Sequence, residues 1–187
     1  MWRWVEGAAV LALTLLTPPA LAAFDRDAAL RASQAAIGRQ VGDYALRDTS
    51  GRTLRLSALR GKPLVVSFVY TGCFKVCPTA TRALAQVVGE AERELGAGSF
   101  RVATIGFNLP YDTPQAMAEF ARKQGVDSPN WLFLSPSAGS VEALTAEFGF
   151  RFEHTAAGFD HLLQVSIVDA DGRIYRQLYG ESFEPSK

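Results

Sequence analysis

Apolar positions along the chain follow two alternating periods. Leu64-Val-Val-Ser-Phe-Val-Tyr70 is a nearly unbroken β-branched and aromatic run, which is how a strand buried on both faces reads. From Ala80 to Leu95 the apolar residues fall at Leu84, Val87, Val88, Ala91 and Leu95, a helical spacing that Gly96 ends. Phe100 to Phe107 predicts a second buried strand. Thr113 and Pro114 then open a helix, threonine as cap and proline at its first position, that runs to Gln124 and stops at Gly125. Trp131 to Leu134 reads as a short strand, and Ala138 to Phe148 as a helix with Gly149 behind it. Gln164 to Val168 and Arg173 to Tyr179, joined at Asp169-Ala-Asp-Gly172, predict a closing hairpin. Near the start, Val41 to Leu46 and Thr53 to Leu56 pair across Asp48-Thr-Ser-Gly51, and Ser57 to Gly61 forms a short helical turn. Asp25 to Ile37 mixes charge with alanine, as a helix or a mobile leader does. The sum is an α/β fold, a central mixed sheet flanked by helices with a hairpin at each end. That is the plan of a thioredoxin-like domain.

The first residues obey a different rule. Arg3 precedes an apolar run from Gly7 to Leu16, then Pro18-Pro19 and Ala20-Leu21-Ala22. The run is short for a bilayer span, and Ala-Leu-Ala suits a signal peptidase. The expectation is a signal peptide over 1–22, a leader or helix over 23–39 and one domain over 40–187. An uncleaved anchor, holding the domain to an inner membrane, is the alternative. No cysteine lies near Ala22, which argues against a lipoprotein. Either way the domain is expected to be exported, to the periplasm in a Gram-negative cell. Nineteen Lys and Arg balance nineteen Asp and Glu, so no basic field favours nucleic acid.

Export sharpens the question of the two cysteines, Cys73 and Cys77, in Tyr70-Thr-Gly-Cys-Phe-Lys-Val-Cys-Pro78. They follow a buried strand and open a helix, at the carboxyl edge where α/β sheets build sites. Free N–H groups and partial positive charge at a helix start favour thiolate, and Lys75 either adds to this or points to solvent. With Phe74-Lys75-Val76 between them, helical geometry would put the sulfurs on one face, from successive turns. Such a pair can close a disulfide with local adjustment, or clamp a soft metal. A purely structural disulfide is the third reading. Further ligands are few. Met1 leaves with the signal, and Met117 reads as core. His161, in Gly158-Phe-Asp-His161-Leu, stands in a loop just before a strand and within reach of the sheet edge. His154 lies across Ala156-Ala157-Gly158 from it, with less claim to a role. Two thiolates and one imidazole suit copper as Cu(I) or Cu(II), whereas a structural zinc site wants a fourth ligand.

These residues resemble the Sco/SenC family of thioredoxin-fold copper proteins. The resemblance covers Gln40 to Gly180. Cys73-Phe-Lys-Val-Cys77-Pro78 after a strand, with Tyr70-Thr71-Gly72 before it, matches the family's signature, and Asp160-His161 matches its distal histidine. The resemblance implies copper held by Cys73, Cys77 and His161. It also implies a role in assembling the CuA centre of cytochrome c oxidase, with subunit II or a similar site as copper acceptor. Relatives on this framework divide between copper delivery and thiol–disulfide exchange. In the second role Cys73 would attack and Cys77 would resolve. Thr71 with Arg82 does not form the setting of a peroxidatic cysteine. Two departures stand out. The family often carries Asp-Pro-x-x-Asp-Thr-Pro after the next strand, and here Asn108-Leu-Pro-Tyr-Asp112-Thr113-Pro114 keeps only the second aspartate. Asp112 is expected either to replace part of the missing charge's role or to be a solvated residue that helps start the helix. And no final helix is evident before Lys187, so that either the chain is truncated or one sheet face is thinly covered. Phe74 and Phe159 are candidates for an apolar docking rim.

Overall fold

The structure is a computed structural model that describes residues 24–180. The expected signal segment and the last seven residues lie outside the described residues. Asp25 caps the first helix, α1 (Arg26–Gln34), by accepting the Ala28 N–H. A hairpin follows, β1 (Ala45–Arg47) and β2 (Thr53–Arg55), then a 3-10 turn over Leu56–Leu59. The core alternates β3 (Leu64–Val69), α2 (Val76–Leu95), β4 (Arg101–Gly106), α3 (Pro114–Gln124), β5 (Trp131–Pro136) and α4 (Val141–Glu147). Two hairpins end it, β6 (Phe152–Thr155) with β7 (Gly158–His161), and β8 (Gln164–Val168) with β9 (Ile174–Tyr179).

Seven strands form one mixed sheet in the order β2-β1-β5-β4-β3-β8-β9. The β3, β4 and β5 strands are parallel, as the helical crossovers α2 and α3 require, and β8 runs antiparallel to β3. The predicted fold class therefore stands, with a hairpin at each end of the sheet. Central strands are buried on both faces, which explains their unbroken apolar runs. The polar residues inside them bond to one another. Ser67 Oγ and Thr104 Oγ1 lie 2.9 Å apart, and the Trp131 indole donates to Thr104 Oγ1 at 2.9 Å. At α3 the threonine cap, the proline at the first turn and the left-handed Gly125 stop all occupy their predicted places.

One expectation changes, and one open alternative is decided. The segment before β8, read as a loop, is the hairpin β6–β7, with Phe152 opposite His161 and His154 opposite Phe159. It pairs only with itself and stands outside the main sheet. And α1 is an ordered helix packed on the fold: Ser33 Oγ and Tyr179 Oη lie 2.7 Å apart, and Gln177 Nε2 donates to the Ser33 carbonyl. No helix follows β9 among the described residues, and a groove of about 440 Å³ runs between α2 and the sheet, lined by Val65, Val87, Ile167 and Leu178.

Gly149 ties α1 to the end of α4. Its φ is +62°, and a Cβ there would lie 2.7 Å from Ser33 Cα. Backbone cannot yield as a flexible side chain would, so strain and clash add. Gly149→Ala is expected to cost about 2–4 kcal/mol in urea unfolding. Gly139→Ala, at a site with nothing within 4 Å, should cost none. Equal stability of the two variants would contradict this packing.

Candidate metal and thiol centre

The chain leaves β3 at Val69 and turns at once, with the Cys73 N–H donating to the Tyr70 carbonyl at 3.1 Å. Helix α2 begins at Val76, so Cys73 precedes it and Cys77 lies in its first turn. The expected placement on successive turns of one helix is thus replaced by a loop sulfur and a helix sulfur. Lys75, at the cap position, is exposed and gives no side-chain hydrogen bond to the helix. The sulfur of Cys73 supplies it instead, accepting the Cys77 N–H at 3.2 Å. Pro78 sits where its missing N–H would have had no partner within the helix.

Both cysteines are free thiols, 9% and 2% exposed respectively. Their acidities are driven apart. Hydrogen bonding from the Cys77 thiol, then the N–H groups of Cys77 and Lys75 and the Tyr70 hydroxyl, outweigh burial and lower the Cys73 pKa to about 5. The same contact, together with burial and the nearby Asp112 charge, pushes Cys77 far up. Near neutral pH the pair is therefore one thiolate and one thiol sharing a contact. Tyr70 is pushed up to about 12 by burial and by the Cys73 sulfur.

His161 closes β7 with its ring against Phe150, Phe107 and Tyr70 at 5.3, 5.8 and 6.4 Å between centroids. Burial lowers its pKa, so the imidazole is neutral near pH 7. Its Nδ1 lies 2.8 Å from the Leu162 carbonyl. A carbonyl only accepts, so Nδ1 carries the proton and Nε2 is left with its lone pair, ready to bind a metal. His161 and Cys73 line one cleft of about 360 Å³, with Tyr70, Phe159, Tyr179 and Arg26. On its other side His161 and Cys77 line a cavity of about 20 Å³, with Gln164 and Thr81. The imidazole is thus a wall common to both sulfurs' surroundings. Among the described residues no three His, Cys, Asp or Glu side chains converge closely enough to hold an ion as they stand. Gly158 keeps this hairpin close, since a Cβ there would lie 2.5 Å from the Tyr70 hydroxyl oxygen.

The remaining candidates separate cleanly. His154 is exposed on the hairpin against Phe159, away from both sulfurs' cavities. Met117 is fully buried core. Arg82 donates to Gln124 Oε1 on α3, whereas the Thr71 hydroxyl donates to Asp112. Phe74 is 99% exposed beside Cys73, and Tyr111 and Val76 are exposed as well. Phe159 lines the cleft. Asn108 contributes through its backbone, its N–H donating to Asp112 Oδ2 at 2.7 Å. Asp112 is buried, and the cap of α3 is Thr113, so the reading of a solvated helix starter is overturned. Arg26 was missed, and Tyr70 was noted only as part of the matched signature, without a role at the site. Tyr70 closes a strand in the sequence, which hides its place in the cleft, and Arg26 is brought there by α1, a tertiary contact with no local signature.

Residues 32–186 match the family described as SCO1/SenC. The human protein "Protein SCO2 homolog, mitochondrial" is 29% identical over 165 residues, covering 84% of this chain and 58% of that protein. The chain thus spans a little over half the length of the mammalian relatives it matches. A crystal structure from Aquifex aeolicus VF5 superposes with a TM-score of 0.73 at 29% identity, covering 79% of this chain and 87% of that one. Arabidopsis thaliana ScoI, solved with copper bound, superposes with a TM-score of 0.67 at 18% identity over 75% of this chain and 88% of that one. With a match across most of its length and the same thioredoxin-like fold, the chain belongs to the SCO1/SenC family.

Proposed function

We propose that this protein binds one copper ion through Cys73, Cys77 and His161 and delivers it to the copper-acceptor site of an oxidase, of the kind found in cytochrome c oxidase subunit II. The observation that carries this reading is the imidazole shared between the surroundings of the two sulfurs, with its lone pair left on Nε2. Cys73 enters as thiolate. Cys77 gives up its proton when the ion arrives, so loading releases acid. A small approach of the β6–β7 hairpin brings Nε2 onto the ion, and the hairpin has no partner strand to restrain it. Copper bound to Arabidopsis thaliana ScoI supports the choice of metal. Delivery then proceeds by ligand exchange, an acceptor thiolate displacing one ligand at a time, with exposed Phe74 beside the site as the docking contact. The N-terminal pattern over 1–22 supports export to the periplasm, with the segment cleaved or kept as an anchor.

A thiol–disulfide role has its own support in the split acidities. Cys73 is a thiolate at the cleft and Cys77 a buried thiol behind it. The thiolate would attack a disulfide of the acceptor, and Cys77 would then displace it from the mixed disulfide, leaving the acceptor reduced and this pair oxidised.

Two measurements follow. In anaerobic titration, Cys73→Ala and Cys77→Ala should abolish tight Cu(I) binding, and His161→Ala should weaken Cu(II) binding by about 10–100-fold while weakening Cu(I) less. Equal loss for both ions, or none, would count against His161 as a ligand. Second, the folded pKa of Cys73 lies below its ordinary value. Its thiolate thus contributes stability that is present above the ordinary thiol pKa and lost as pH falls through about 5. Alkylation of the reduced protein should therefore modify Cys73 first, with a rate midpoint near pH 5. A midpoint near the ordinary thiol value would remove the basis for this site.

A further inference from the structure

Asp112 is the only Asp, Glu, Lys or Arg in the buried core of the described residues. None of their ion pairs includes it. A buried carboxylate is costly unless donors surround it. Here Oδ1 accepts both the N–H of Thr71, at 2.8 Å, and its hydroxyl, at 2.7 Å, while Oδ2 accepts the Asn108 N–H. The Asp112 carbonyl takes the Ser135 hydroxyl, which fixes the residue from β5. Space for it is made by Gly106, where a Cβ would lie 2.6 Å from the Asp112 Cβ. Thr71 stands two residues before Cys73, in the turn that carries that sulfur to the start of α2. Among the described residues, the bonds from Thr71 to Asp112 are the only side-chain hydrogen bonds between the loop after β4 and the loop after β3.

We propose that Asp112 is a positioning residue for the sulfur pair: by holding both donors of Thr71 it fixes the turn that seats Cys73 Sγ over the first N–H groups of α2, and so biases the pair toward the dithiol. Forming the disulfide brings the two sulfurs from hydrogen-bond contact to bonding distance, and a neutral disulfide sulfur accepts the Cys77 N–H more weakly than the thiolate does. A pinned turn resists that movement, and a released one permits it. The inference concerns the sulfurs whatever their cargo, so it does not depend on the copper reading.

The test is equilibration with glutathione. Protein dithiol and one glutathione disulfide give protein disulfide and two glutathione thiols. Thr71→Val keeps the shape and the N–H but removes one donor to the carboxylate. Its equilibrium constant for disulfide formation should rise about tenfold. Thr71→Ser keeps both donors and should restore the wild-type value. In Asp112→Asn the weaker, neutral acceptor should speed hydrogen exchange of the Thr71 amide. Should that variant fail to fold, the two Thr71 variants still decide. A Thr71→Val protein that loses urea stability but keeps the wild-type equilibrium, or shifts toward the dithiol, would show the contact to be structural only and would overturn the proposal. Failure of copper binding in the wild-type protein would leave this result untouched.

Discussion

The hydrogen bond from the Cys77 N–H to the Cys73 sulfur organises the centre. A helix start needs an acceptor, and α2 has no side-chain oxygen at its cap. The sulfur that meets this need is stabilised as an anion by the groups it satisfies, so capping and activation are one interaction seen from two sides. Its consequence is asymmetry. Cys73 holds the charge at the cleft and Cys77 keeps its proton behind it. The chemistry of a pair so divided suits either a soft cation or disulfide exchange, and each would draw on the same thiolate.

The fold supports this arrangement from three directions. The parallel strands β3 and β4 bring the two loops of the centre to one sheet edge, where Asp112 joins them. The aromatic rings of Tyr70, Phe107 and Phe150 hold His161 beside the sulfurs and keep it neutral by burial. The β6–β7 hairpin carries that histidine on a two-stranded arm rather than on the rigid sheet. The sulfurs are thus seated by the sheet edge and α2, and the nitrogen by aromatic packing of a separate hairpin.

Much of this was legible in the chain because local chemistry and tertiary structure agree there. The buried runs of β3 and β4 and the Thr113-Pro114 start of α3 each carry their own signal. The β6–β7 hairpin escaped because its strands are four residues each and half exposed. Its signal was present, though weak: Phe-x-His recurs on either side of Ala-Ala-Gly, a period of two around a turn. The relation of the cysteines was misjudged for another reason. Spacing gives a common face only where both residues are helical, and the helix begins after Cys73. Asp112 was undecidable from sequence, because an aspartate before a helix is ordinary. Only the meeting of two loops reveals that it is buried and bonded to Thr71.

The central claim is that two sulfurs and one nitrogen, joined from a loop, a helix and a hairpin, hold one soft ion. X-ray absorption of the protein loaded with a single equivalent of Cu(I) tests it most directly. The account predicts a low-coordinate copper with two sulfur neighbours and one imidazole nitrogen in a monomeric protein. A sulfur-only first shell, or copper bridged between two protein molecules, would contradict it.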